Sequence, residues 1–178
     1  MRVWEKVKGS GKSPPRVGTR EVIWSWIGGF LGIGLLGWLW EGQLVRGEGF
    51  MLIGSFGASA VLVYGAPRSP LAQPRNVIGG HVISALVGVT SCKLFQGQVW
   101  LASAVAVSTS IAIMHLSRTL HPPGGATALI AVIGGEKIHS LGFLYVLTPV
   151  GVGATVMVLV AVIVNNIPKD RRYPEFWL

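Results

Sequence analysis

"TLHPPGGATALIAVIGG", residues Thr119 to Gly135, places two prolines and two glycines inside a chain that is otherwise strongly apolar. Consecutive prolines disfavour a helix running into them, because each ring fixes φ and the residue before a proline avoids the α region. A proline is nevertheless well suited to a helix's first turn. The stretch therefore reads as the start of a half-length helix, with Pro123 or Gly124 near its first position and Gly134-Gly135 at its stop. A half-helix that begins inside a membrane leaves its first backbone N–H groups without intrahelical partners, and those groups need an acceptor.

The rest of the chain supplies the membrane. Of 178 residues, 51% are hydrophobic and 12% charged, and the charges gather at the ends and in short connecting segments, the pattern of a polytopic membrane protein. "VIWSWIGGFLGIGLLGWLW" (Val22 to Trp40) and "LGFLYVLTPVGVGATVMVLVAVIV" (Leu141 to Val164) are each long enough to cross a bilayer. Six apolar segments can be marked, at about 22 to 40, 50 to 65, 77 to 95, 98 to 117, 122 to 134 and 141 to 165. The second and fifth are short. Residues 1–20, rich in Lys, Gly, Ser and Pro, read as a basic, flexible cytoplasmic tail, and residues 169–178 as a C-terminal tail that meets the interface through Phe176 and Trp177. The first apolar run is too long for the core of a signal peptide. The net charge of +8 fits the positive-inside rule and contact with membrane lipids better than nucleic-acid binding. Cys92, the single cysteine, reads as a packing residue.

An internal repeat explains the short segments. "FGASAVLVY" (Phe56 to Tyr64) aligns without a gap on "GGATALIAV" (Gly124 to Val132), with Gly57 on Gly125, Ala58 on Ala126, Ser59 on Thr127 and Ala60 on Ala128. The fold expected is all-α: two three-segment repeats in inverted orientation, at about 22–95 and 98–165, with four long transmembrane helices and two half-helices in broken or re-entrant passages. Paired, Gly/Pro-interrupted segments in corresponding positions point to a transporter site at the bilayer midplane, and helix N-termini suit a small anion. The candidate anion-binding residues are Ser55, Gly57, Ala58, Ser59, His121, Pro123, Gly124, Gly125, Ala126 and Thr127. The competing reading takes the same small residues as close-packing contacts between helices.

Two further residues are secondary candidates. His81 lies early in the third segment, where an ionisable side chain faces protein or a cavity, and the repeat sets Pro149 at its equivalent position. Arg118, three residues before His121, either snorkels to the interface, as Lys93 does, or attracts anions to a vestibule. His121 itself can donate to an anion or, near its ordinary pKa of about 6.5, carry a proton. Asn165 and Asn166 read as a helix stop, and Trp24, Trp26, Trp38 and Trp40 as interfacial anchors. No acidic residue falls inside an apolar segment, which argues against proton coupling through a buried carboxylate. The four histidines form no close pair with each other or with the cysteine, so no metal site, cofactor or enzyme constellation is read.

"LHPPGGATAL" resembles the HPP family of integral membrane proteins, whose His-Pro-Pro is here His121, Pro122 and Pro123. "GSFGASAVLVYGAPRSPLAQPRNVIGGH" (Gly54 to His81) and "NNI" near the end of the last span carry the same resemblance, which covers about residues 22–168. It implies a membrane domain usually described with four helices, and a small-anion carrier with nitrite as the leading substrate, since the family includes nitrite transporters of chloroplast envelopes and cyanobacterial membranes. The short N-terminus favours a bacterial inner membrane, such as a cyanobacterial one, over a plastid. The alternative is a non-transporting scaffold or assembly subunit, self-associating through "GGFLG" (Gly28 to Gly32).

With short segments that cross fully, 12 of the 15 Lys and Arg share the side of the termini; with re-entrant loops, 10 do. The positive-inside rule favours the first arrangement, with both termini cytoplasmic.

Overall fold

The computed structural model describes residues 11–41 and 52–178, together with residues 4 and 7. Much of the basic tail, the 42–51 linker with Arg46, and the Trp40 side chain lie outside the described residues. The described chain is all-helical. Its helices are α1 (Thr19–Glu41), α2 (Gly54–Gly65), α3 (Pro74–Leu94), α4 (Val99–Leu116), α5 (Pro122–Ile133), α6 (Glu136–Leu141) and α7 (Val152–Asn165). Four stretches are long and apolar enough to cross a membrane: Thr19–Leu39, Pro74–Leu94, Val99–Leu116 and Val146–Asn165. The two shorter apolar helices are α2 and α5.

Local chemistry sets the boundaries. α3 and α5 both open on proline, where the missing N–H is no loss. α4 ends before Arg118, whose φ of 56° turns the chain out of the helix, and α5 ends at Gly134, followed by Gly135 at φ 76°. The last span is interrupted by a wide turn over Val146–Gly151, in which Thr148 is extended (φ −138°, ψ 125°) and Pro149 follows. The break falls at the position that the repeat equates with His81.

Hydrogen bonds sort the helix ends. Arg171 of the C-terminal tail donates to both carboxylate oxygens of Glu21 in the first turn of α1 (2.7 and 3.0 Å), to Asn165 Oδ1 at the end of α7 and to the carbonyl of Tyr64 near the end of α2. At the same end of the bundle, Arg75 at the start of α3 donates to the carbonyl of Ser117 just past α4. At the other end, Lys93 stands over the ring of Phe143, and Cys92, Phe95, Gly97, Val99 and His139 line one hollow. α2 therefore runs toward the end that carries Glu21 and the tail, and α5 away from it. The tail is no loose appendage: Tyr173 donates to the carbonyl of Ala72 at 2.8 Å, and Asn166 both accepts from Tyr173 N–H and donates to its carbonyl. Burial, and then the neighbouring Tyr64 phenol, push the Tyr173 hydroxyl above its ordinary pKa, so it stays a donor.

Two packing groups result. α1 packs on α2 and α7, while α4 packs on α5 and α3. In the first group, aromatic rings enter glycine sockets: Tyr64 lies against Gly28 and Gly32, and the Phe56 ring against Gly153. In the second, backbones approach directly. A Cβ at Gly88 would stand 2.6 Å from the carbonyl oxygen of Ala128, and one at Gly124 would stand 2.9 Å from that of Gly80. Small residues permit this proximity, and in a membrane the contact area it creates is a main source of helix association.

Candidate functional site

Where the two half-helices meet, their buried polar side chains form one connected chain. Ser55 and Ser59 lie one turn apart on the buried face of α2; Thr127 is on α5, and His121 immediately precedes that helix. Ser59 Oγ lies 2.8 Å from His121 Nε2, and the Ser55 and Thr127 hydroxyls are 2.8 Å apart. The later residue of α2 thus pairs with the earlier one of α5, and the reverse, so the half-helices cross antiparallel, with their first turns side by side.

α3 supplies the member that joins these pairs. His81 Nε2 is 2.7 Å from Ser59 Oγ and His81 Nδ1 is 2.7 Å from Thr127 Oγ1. His121 Nδ1 donates to the carbonyl of Leu71 at 2.8 Å, and Tyr145 Oη donates to the carbonyl of Thr127. The imidazoles stand edge to face, 4.9 Å between centroids, with the Phe56 ring against His81. Ser59, His81, His121 and Thr127 are 0% exposed and Ser55 is 1% exposed. His81 is the eighth residue of α3, about 10 Å in from its start at 1.5 Å per residue. Burying five polar side chains there is unfavourable unless each finds partners, and each does.

The other candidates divide by face. Pro123 and Gly124 are buried, Gly124 against Ser84 and Gly80 of α3. Gly57, Ala58 and Ala126 are exposed, and Gly125 is half-buried. Ala58 and Ala126 line an open apolar groove with Val61, Leu62, Pro122 and Pro123. Arg118 is exposed and belongs to no part of the network.

α5 departs from the expected helix start rich in free N–H donors. Its first two residues are prolines without an N–H, and Gly124 N–H donates to the carbonyl of His121 at 2.8 Å. The first turn of α5 therefore offers few spare backbone donors; its polar contribution comes from His121 and Thr127. On α2, Phe56 N–H donates to the carbonyl of Ile53, and no side chain caps the helix. The "GGFLG" glycines also have an internal role, since Gly28 and Gly32 receive Tyr64. Leu71 and Tyr145 went unread in the sequence; they act through a carbonyl and a hydroxyl brought near only by folding.

The transmembrane region of the HPP family matches residues 14–174. The chain belongs to the HPP transmembrane family. Two Dictyostelium discoideum proteins, each described as a transmembrane protein, are similar: one is 46% identical over 99% of this chain and the other 43% over 99%. The chain spans 58% and 64% of their respective lengths. No solved structure matches. That these relatives come from an amoeba gives no support to a bacterial source for this HPP protein. Its His-Pro-Pro motif, His121 to Pro123, is the turn that delivers His121 to the polar centre and starts α5.

Proposed function

We propose that this HPP protein moves a small inorganic anion across the membrane, with nitrite as the leading substrate, through the region where α2 and α5 cross. The observation that carries this reading is the polar chain itself: two histidines, two serines and a threonine, wholly buried in a bundle of membrane-crossing helices, at the meeting point of its two half-helices. Intramembrane ionisable residues are costly and are characteristically found on substrate or proton pathways. Side-chain donors from Ser55, Ser59, His121 and Thr127, with the positive end of the α2 dipole, offer an anion a set of partners once the closed network opens. Opening is required because these side chains now satisfy one another. The inverted-repeat architecture is part of the proposal; the antiparallel crossing and the matching partners, α1 on α2 and α7, α4 on α5 and α3, support it.

The proposed orientation sets both termini in the cytoplasm. Twelve of the 15 Lys and Arg then lie inside, leaving Arg46, Lys93 and Lys137 outside. The test of the function is nitrite flux into proteoliposomes of purified protein, with nitrate, bicarbonate and chloride as competitors. Saturable nitrite uptake above protein-free vesicles is expected. Uptake no faster than the vesicle leak supports the alternative, a membrane scaffold without transport.

A further inference from the structure

We infer that the connection between α2 and α3, residues 66–73, is a gate over the polar centre, and that the tail at 170–175 is the strap that holds it shut. This rests on the transport reading only for what passes the gate; the closure itself follows from hydrogen bonds on the two sides of one short turn.

The connection depends on partners from elsewhere in the fold. "APRSPLAQ" (Ala66 to Gln73) holds Pro67 and Pro70, with Pro74 directly after it, and a proline has no N–H to give to a backbone ladder. Its regular part is a single-turn 3-10 helix, Pro70–Ala72, in which Leu71 N–H donates to the Ser69 hydroxyl at 3.2 Å. Side chains take up its carbonyls: the Gln73 amide donates to those of Pro67 and Ser69, His121 Nδ1 to that of Leu71, and Tyr173 Oη to that of Ala72. Leu71 and Ala72 are adjacent. One peptide step therefore separates a carbonyl held by the polar centre from a carbonyl held by the tail.

The polar centre lies nearer this end of the bundle than the other. Ser59 is six residues before the end of α2 and His81 is the eighth residue of α3, each about 10 Å from the tail end at 1.5 Å per residue. Beyond His81, α3 runs on for thirteen residues, about 20 Å, to the other end. Outside the connection, Pro67, Arg68 and Ser69 line an open hollow with Glu21, Asp170 and Arg171. Ala72 and Gln73 are 0% exposed. The hollow thus stands on one side of the connection and His121 on the other.

Three bonds strap the connection to the tail. Arg68 Nη2 donates to the carbonyl of Asp170 at 2.6 Å, Tyr173 Oη to that of Ala72 at 2.8 Å, and Glu175 N–H to Gln73 Oε1 at 2.8 Å. The tail is itself anchored by Arg171 to Glu21 of α1 and Asn165 of α7. Arg171 joins helices, whereas Tyr173 and Glu175 reach the turn that holds His121. Releasing these few side-chain bonds lets the connection move while the helices stay packed, a local opening of the kind from which gates are drawn.

The test follows one cysteine in the polar centre of protein held in lipid nanodiscs, on a Cys92→Ser background. The probe is a charged methanethiosulfonate, which labels thiols that meet water, and no substrate is needed. Ser59→Cys should label slowly, and adding Tyr173→Phe should speed its labelling about fivefold or more, the population shift expected from losing one hydrogen bond of the closed state. Arg68→Ala should act in the same direction. Ser110→Cys, at a wholly buried position of α4, is the control and should keep one slow rate throughout. An unchanged Ser59→Cys rate in Tyr173→Phe overturns the gate. So does an equal rise at Ser110→Cys, which would mean that the whole bundle had loosened. Should Tyr173→Phe fail to fold, Arg68→Ala, at an exposed position, decides in the same way. Saturable nitrite uptake by the wild type with unchanged labelling would leave the transport reading standing and remove the gate; faster labelling without nitrite uptake would keep the gate and remove the anion.

Discussion

α2 and α5 are each twelve residues long, align without a gap over nine of them, and hand polar groups to the same centre. They are held by opposite means. α2 is the bulky half-helix: its Phe56 and Tyr64 fill the spaces left by Gly153 of α7 and by Gly28 and Gly32 of α1. α5 is the slender one: Gly124 and Ala128 let its backbone approach that of α3 at Gly80 and Gly88. Phe56 and Gly124 occupy aligned positions. At this aligned position one half-helix carries a ring and the other a bare Cα, and in each case the neighbouring helix supplies the complementary shape. The packing thus differs between the two half-helices, whereas Ser59 and Thr127, also aligned, both carry a hydroxyl.

Substitutions on the two sides should therefore fail in different ways. The largest effect is expected for Gly88→Val. Its Cβ would meet the backbone of Ala128, which cannot move aside, so α3 and α5 must separate and the His81–Thr127 contact is lost. Overpacking of this kind costs about 3 kcal/mol or more, and detergent-solubilised protein should be aggregated or strongly lowered in melting temperature.

The α2 side should prove repairable. Phe56→Ala leaves a cavity costing about 3 kcal/mol, and Gly153→Ala alone forces the Phe56 ring to shift, costing about 1 to 3 kcal/mol. In the double variant the new methyl group enters space vacated by the ring, so the two losses should fall short of their sum by about 1 kcal/mol or more in a thermal-unfolding cycle. Strict additivity would break the comparison.

The smallest effect is expected at Gly57 and Gly125. Gly57 has open space at its Cβ position, and at Gly125 only Val107 comes near, at 3.8 Å. Changing either to Ala should leave the melting temperature within the shift expected from about 0.5 to 1 kcal/mol, in the stabilising direction because alanine favours helix. A large loss at Gly125 would mean that α5 packs more tightly on α4 than the structure has it.

How legible was this in the sequence? The spans were readable because length and apolarity are properties of single segments, and the start and stop of α5 because Pro122, Pro123 and Gly134 act on their own backbone. Ser59 and Thr127 could be paired through the repeat, and their hydroxyls do enter one network. The role of His81 could not be decided, since a histidine on a helix looks the same whether it binds a neighbour or a ligand until its partners are known. The expectation of free N–H donors failed locally, because the prolines that start α5 also remove its donors. Gly57, Ala58 and Ala126 stand out only by alignment, which is blind to which face of a helix turns inward. The stretch 169–178 reads as a tail meeting the interface through Phe176 and Trp177, and the contacts of Arg171 and Tyr173 are not legible there because their partners, Glu21 and Ala72, lie 150 and 101 residues away.

The claim that matters most is that anions pass through the buried polar centre, and His121 tests it. His121→Gln keeps a side chain able to donate to the Leu71 carbonyl and to bond Ser59, while removing the imidazole. Initial nitrite uptake should be measured in proteoliposomes carrying equal amounts of wild-type and His121→Gln protein, beside the melting temperature of each. The account predicts at least about a tenfold fall in uptake, equivalent to about 1.4 kcal/mol, with the melting temperature changed by only a few degrees. A stable His121→Gln protein that takes up nitrite at the wild-type rate would contradict it.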